Sequence, residues 1–270
     1  LECGDDWWTW YRWVPDKYRM PLSIVFAEMV SHNHFVLARG GLAFNRSAPV
    51  IKLANQVSED DHLTLIGLLN SSTSCFWMKQ VAHQKQMMGG DGVRVDSKAK
   101  VPYAFSGTQL GKLPIPELWK AGPLRERLLD LTRRMDRVAS RLSGLTARQA
   151  IESSLGSAAA MRETWQQFQA ERRRVRSQMV LFQEEIDFTV YTMWGFADRS
   201  LLSDKLDWPD VTLDAGDRPF DIQRGRNEDN FPVPNGIPAA WPADLRDLWQ
   251  RRIDAISQSS ELRLIEDPHY

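Results

Sequence analysis

From Pro21 to Leu53 the chain is patterned in short runs of β-branched and aromatic residues. Ser23-Ile-Val-Phe-Ala27, Asn33-His-Phe-Val-Leu37 and Ala48-Pro-Val-Ile-Lys-Leu53 predict strands. Gly40-Gly41 and Asn45-Arg-Ser47 separate the later runs and supply turns. The period then changes. Ser58 reads as a helix N-cap, followed by Glu59, Asp60 and Asp61 where the helix dipole favours acids. Leu63, Ile66, Gly67 and Asn70 fall on one face of that helix. The polar run Asn70–Ser74 predicts a bend or restart, and a second amphipathic helix follows, ending in Lys79, Gln80 and His83. Residues 86–100 read as an exposed, mobile basic loop, and Phe105-Ser-Gly-Thr-Gln109 as a strand end.

Beyond Pro116 the period is helical throughout. Leu124, Leu128, Leu131, Met135, Val138, Leu142 and Leu145 alternate spacings of four and three, a heptad seam. The Gly/Ser/Ala-rich stretch Ser153–Ala159 interrupts it. A second seam runs Met161, Trp165, Phe168, Arg172, Val175, Met179, Phe182, Ile186, Thr189 and Met193. Two seams joined by a breaker predict a long antiparallel helical hairpin that serves as spacer or docking arm. Residues 200–270 show weak periodicity apart from one amphipathic helix, Leu245–Ile256. The expected fold class is therefore α+β, in four parts. Residues 1–20 form an aromatic-rich linker or interface and 21–116 a mixed α/β unit. Residues 117–199 form the hairpin, and 200–270 a segment of mixed structure.

Composition narrows the function. No apolar run approaches the roughly 20 residues of a membrane span, so no membrane partner is expected. Two cysteines, Cys3 and Cys75, make neither a disulfide framework nor a metal site, and a reducing cytoplasm is the expected compartment. A start at Leu1, without an initiator Met, reads as a fragment of a longer chain. The net charge of −1 hides an uneven distribution. Residues 31–199 carry 23 basic and 16 acidic groups, whereas residues 200–270 carry 8 and 14. A basic centre fits a polyanion-binding face. Trp7, Trp8, Trp10, Tyr11, Trp13 and Tyr18 crowd the first twenty residues. They could stack on unpaired bases, but packing against a neighbouring domain is the stronger reading.

Candidate chemistry is that of recognition. Arg and Lys can grip guanine edges or phosphates, and Asn and Gln can pair with adenine edges. Asn33, His34, Arg39, Asn45 and Arg46 cluster on the strand turns. Lys79, Gln80, His83, Gln84 and Lys85 close the second helix, and Arg94, Lys98 and Lys100 decorate the loop. An ordinary polar surface explains any one of them as well; the set favours double-stranded DNA. No catalytic, cofactor-binding or metal-binding residue is assigned. His32 and His34 lack a partner at metal-ligand spacing. Cys75, Lys79 and His83 share a helical spacing but no acid orients the His, which predicts a core thiol beside two surface groups.

The stretch Leu68-Leu-Asn-Ser-Ser-Thr-Ser-Cys-Phe-Trp77, with His32–Arg39 before it and Leu113-Pro-Ile-Pro116 after it, resembles the target-recognition region of large DNA methyltransferases. The wording is closest to the PglX-type adenine-specific enzymes of bacteriophage-exclusion (BREX) systems. Gln183–Tyr191, Arg218-Pro-Phe-Asp-Ile222 and Leu264–Tyr270 also look like landmarks of that family. The resemblance implies DNA target recognition on behalf of a methyltransferase half outside this chain. It also implies S-adenosylmethionine as cofactor of the parent enzyme and other phage-exclusion proteins as partners. Adenine methylation in this class uses an Asn/Asp-Pro-Pro-aromatic tetrapeptide and a glycine-rich cofactor turn. No Pro-Pro dipeptide occurs here, and Phe105–Gln109 lacks the turn's second glycine. The chain alone is thus expected to be inactive. A stand-alone specificity subunit and a helical protein-docking module without DNA contact are the alternatives.

Overall fold

A computed structural model describes residues 20–45, 47–54, 56–84, 102–152, 157–206, 208, 211–225 and 232–267. Strands β1 (Ser23–Phe26), β2 (Met29–Val30), β3 (Phe35–Ala38) and β4 (Val50–Ile51) open the chain. Strand β1 is the centre of an antiparallel sheet of order β3-β1-β4, and all four of its residues are buried. Phe26 lies directly across from Phe35, with ring centroids 5.3 Å apart. Helix α1 (Glu59–Leu69) begins where the sequence predicts. The Ser58 side chain accepts from the Asp61 N–H, and the Asp61 carboxylate accepts from the Ser58 N–H. That reciprocal cap holds the Asp61 carboxyl below its usual range, with Arg125 assisting at 2.5 Å.

The helix breaks at Asn70 as expected, and α2 (Ser72–Val81) restarts behind the N-cap Ser71. It ends earlier than the sequence implies. Ala82 caps it, and His83-Gln84 form β5 rather than a last helical turn. The cause is tertiary: β6 (Tyr103–Ala104) pairs with both β5 and β2 in a second small sheet. His83 is therefore not on the helix face of Cys75 and Lys79. After β6, Ser106 caps the short helix α3 (Gly107–Leu110) where only a strand end was expected. Ile24, Phe26, Phe35, Ile66, Leu69, Met78, Tyr103 and Phe105 form the core between sheets and helices.

Helix α4 (Pro123–Gly144) and α6 (Ala158–Trp194) run antiparallel, as the ion pair Arg127–Glu185 near one end and Arg141–Glu171 near the other require. Their seam buries Leu124, Leu128, Leu131, Phe182, Ile186, Val190 and Met193. Helix α1 packs across α4 so closely that a Cβ on Gly67 would lie 2.2 Å from Thr132 Oγ1. The two arms are unequal. Helix α4 stops well before the Ser/Ala-rich breaker, and α5 (Ala147–Glu152) intervenes. The seam positions Met161 and Trp165 of α6 thereby remain 41% and 39% exposed. At 1.5 Å per residue the 37 residues of α6 extend roughly 55 Å.

The last third is more ordered than its weak periodicity suggests. Helices α7 (Pro219–Arg224), α8 (Ala243–Gln258) and α9 (Ser260–Glu266) wrap the second half of α6. From Glu184 to Met193 that helix is buried on every side. Trp208, Trp241, Trp249, Leu245 and Leu248 pack on one flank, and Phe220, Ile256 and Leu262 on another. Among the described residues no helix is long and apolar enough to cross a membrane.

Candidate nucleic-acid interface

Asn70 and Asn33 explain why the helix break is polar. The Asn70 side chain accepts from the Phe35 N–H and donates to the Phe35 carbonyl, both at 2.8 Å. An amide thus completes the open edge of β3 as a neighbouring strand would. Asn33 Nδ2 donates to the Leu69 carbonyl at 2.6 Å, an oxygen freed where α1 stops, and to the Ser71 carbonyl at the start of α2 at 3.1 Å. Both side chains fasten strand to helix.

The candidate contact residues are distributed in three places. Asn33 and His34 stand at the start of β3, and His34 is exposed. Arg39 lies at its far end, between Glu59 at 2.8 Å and Asp136 at 2.7 Å; Asp136 and then Glu59 raise its pKa. Asn45 is exposed on the following loop, where its Oδ1 accepts from the Ser47 N–H. A third group gathers at the end of α2 and on β5. Gln80, His83 and Gln84 are exposed and Lys79 is half-buried. Gln84 Nε2 donates to the Tyr103 hydroxyl at 3.0 Å, which restrains the amide. Arg46, Lys85, Arg94, Lys98 and Lys100 lie outside the described residues, as does the loop 86–100. Cys75 is half-buried rather than part of the core, and desolvation pushes its thiol up.

Sequence reasoning missed a buried ionic junction on α6. Glu185 is fully buried between two guanidiniums, with Arg127 and Arg252 each at 2.5 Å. Arg252 is itself fully buried. It also donates to the Leu201 carbonyl, and its guanidinium lies 4.2 Å from the Phe188 ring centroid and 5.2 Å from that of Trp249. On the adjacent face of the helix the balance is reversed. Glu184, Asp187 and Glu266 converge on the single guanidinium of Arg218. Tyr191 donates its hydroxyl to Glu266, and Asp187 Oδ1 accepts from the Ser72 N–H at 2.6 Å, at the start of α2. Burial, then the neighbouring Glu266, pushes the Asp187 carboxyl up to about 8 against the pull of Arg218. Burial also raises Glu184, and burial followed by Glu266 raises the Tyr191 phenol. Part of the signal was in the sequence: Glu184, Glu185, Asp187, Tyr191, Arg218 and Glu266 come from three separate landmark segments, 183–191, 218–222 and 264–270, whereas Arg127 and Arg252 lie outside them. The junction therefore joins the strand–helix unit, the hairpin and the last third at one point. Among the described residues no group of three or more His, Cys, Asp or Glu is arranged to hold a metal.

A family model described as a domain of unknown function, DUF7008, matches residues 179–270. It begins at Met179, just before α6 becomes enclosed, so it covers the enclosed half of the helix together with its wrapping. The chain is 35% identical to a Streptomyces coelicolor protein named adenine-specific methyltransferase PglX, over 99% of this chain and 22% of that protein. It spans about a fifth of the length of the curated relative it matches. No solved structure matches the chain. Nearly the whole of the chain is thus similar to one segment of a PglX-type protein.

Proposed function

We propose that residues 21–116 read DNA sequence for an adenine-methylating domain carried elsewhere in the same cytoplasmic protein, as part of a bacteriophage-exclusion system. The observation that carries this reading is the 35% identity, along 99% of the chain, to a protein named as an adenine-specific methyltransferase. The chain itself contains no Pro-Pro dipeptide and no complete glycine-rich cofactor turn. S-adenosylmethionine and the methyl transfer are accordingly assigned to the remainder of the protein, and recognition to this part.

The contacts of the described residues support a division of tasks among the candidates. Asn33 and Arg39 are engaged within the fold and act as supports. Gln84, restrained by Tyr103, can accept from an adenine N6 amine and donate its second hydrogen to N7. Gln80, His83, His34 and Asn45 offer further polar contacts, with Arg46 a candidate for guanine. Lys79, Lys85, Arg94, Lys98 and Lys100 hold phosphates, which position the duplex without reading it.

A salt-titrated binding series on cognate and scrambled duplexes tests this in the full-length protein. Gln84→Ala is expected to relax discrimination by roughly 1–3 kcal/mol, and Lys98→Ala to weaken both duplexes alike. Wild-type binding that is absent, or indifferent to salt, would move the answer to protein docking.

A further inference from the structure

The outer face of α6 carries a second periodic row besides its apolar seam. Arg162, Gln166, Gln169, Arg173, Arg176, Val180 and Gln183 are spaced four, three, four, three, four and three, which places them along one side of the helix. The inner end of this row is anchored. Val180 and Gln183 line a groove of about 410 Å³ together with Asn33–Leu37 of the β3 strand region. The outer end is polar and exposed: Arg162, Gln166, Gln169, Arg173 and Arg176 all face solvent. At 1.5 Å per residue, Arg162 to Arg176 covers roughly 21 Å.

The charge of the arm is one-sided. Between residues 130 and 176 there are ten arginines, no lysine and five acids. Arg is the side chain whose planar fork matches phosphate oxygens. Arg173 pairs with Asp214 at 2.7 Å on the surface, a contact weak enough to be exchanged. Arg162 and Arg176 form no ion pair among the described residues. Near the inner end of the row, Arg39 at the end of β3 pairs with Asp136 of α4 at 2.7 Å, which ties the strand unit to the hairpin.

We propose that Arg162, Arg173 and Arg176 form a track for the phosphate backbone of duplex DNA that continues beyond the site read by residues 21–116. The inference rests on the DNA-reading function proposed above and extends it to a second surface. An arm about 21 Å long reaches roughly six base pairs further at 3.4 Å per step. Charge complementarity commits the row to phosphate, since its exposed positions are cations and amides; the apolar Met161 and Trp165 border only Arg162 at the outer end.

The test is salt-titrated binding of the full-length protein and its Arg162→Gln/Arg173→Gln/Arg176→Gln variant. One set of duplexes ends at the recognised site and another extends ten base pairs past either end. Each phosphate contact contributes about 0.9 to the log–log salt slope. On extended duplexes the variant's slope is expected to be shallower by roughly two to three, while discrimination between cognate and scrambled sites is kept. On short duplexes variant and wild type are expected to coincide. Equal slopes on extended duplexes, with wild-type binding intact, would overturn the track and leave the reading function standing. A wild type without salt-dependent binding would overturn both. Arg162→Lys/Arg173→Lys/Arg176→Lys is expected to restore most of the slope, which a folding defect in the glutamine variant would not predict.

Discussion

Two neighbouring acids on α6 meet opposite surroundings. Glu185 is enclosed by two cations, Arg127 and Arg252, and its carboxylate oxygens are bonded to both. Asp187, two residues further on, shares one cation, Arg218, with Glu184 and Glu266. Burying a charge costs several kcal/mol unless it is matched. The first cluster meets that requirement with a surplus of guanidinium, part of which lies against the rings of Phe188 and Trp249. In the second, burial and then the neighbouring Glu266 raise the Asp187 carboxyl to about 8, so a proton there offsets the shortage of cations. One helix thus carries a junction fixed by ion pairing and, on the adjacent face, a junction fixed by protonation. Only the second reaches α2, through the Ser72 N–H, so the strand–helix unit is tied to the proton-dependent side.

The largest expected effect is on the ion-paired side. Arg252→Ala removes a cation with no exposure, its packing between two rings, and one of the two partners of Glu185. A loss of about 3–5 kcal/mol is expected from urea denaturation, as for breaking other buried pairs. Arg252→Met, which keeps volume but not charge, should recover part of it. If both variants unfold like the wild type, Glu185 and Arg127 alone suffice and the surplus cation has no structural role.

Next comes the proton-dependent side. The folded value of Asp187, about 8, lies above the ordinary 3.8. Between those two values the folded protein keeps a proton that the unfolded chain has released. Stability from this group is complete below about pH 4, falls as pH rises through the window, and levels off above about pH 8. The slope is at most about 1.4 kcal/mol per pH unit for a single proton. Asp187→Asn mimics the protonated acid and is expected to flatten the stability profile between pH 5 and 8. A profile as steep as that of the wild type would show that another group holds the proton.

How much of this was legible in the sequence depends on distance along the chain. The Ser58 cap, the break at Asn70, the strands near Ile24 and Phe35 and the inner parts of the two heptad seams arise from residues a few positions apart and are found where expected, whereas the outer seam positions Met161 and Trp165 stay exposed. The end of α2 was misplaced because β5 exists only through pairing with β6, some twenty residues later. The ionic junction was not legible as chemistry. Ser72 and Asp187 are 115 residues apart, Glu185 and Arg252 67, and Arg218 and Glu266 48. On the heptad pattern Glu184, Glu185 and Asp187 lie off the seam and so read as solvated. They are buried because the weakly periodic last third closes over them. The resemblance of three landmark segments pointed to their importance, and the fold shows that they meet.

The smallest effect separates the two modes within the second cluster. Tyr191 is buried beside Phe188, and its hydroxyl donates to Glu266. Glu266 in turn faces Arg218 at 3.3 Å, so the phenol and the guanidinium are alternative supports for one carboxyl. Tyr191→Phe deletes the hydroxyl without opening a cavity of any size, and Glu266 keeps Arg218. About 1–2 kcal/mol is expected, the range for a hydrogen bond to an ionisable group when one partner remains. The loss should grow toward alkaline pH. As protons leave the cluster, the surplus negative charge around Arg218 rises, and a hydroxyl donor to Glu266 then counts for more. Denaturant midpoints of Tyr191→Phe measured at pH 6 and pH 8.5 give the answer. A larger loss at pH 6 would mean that the cluster is held by its ion pair alone, and that both sides of α6 work in the same way.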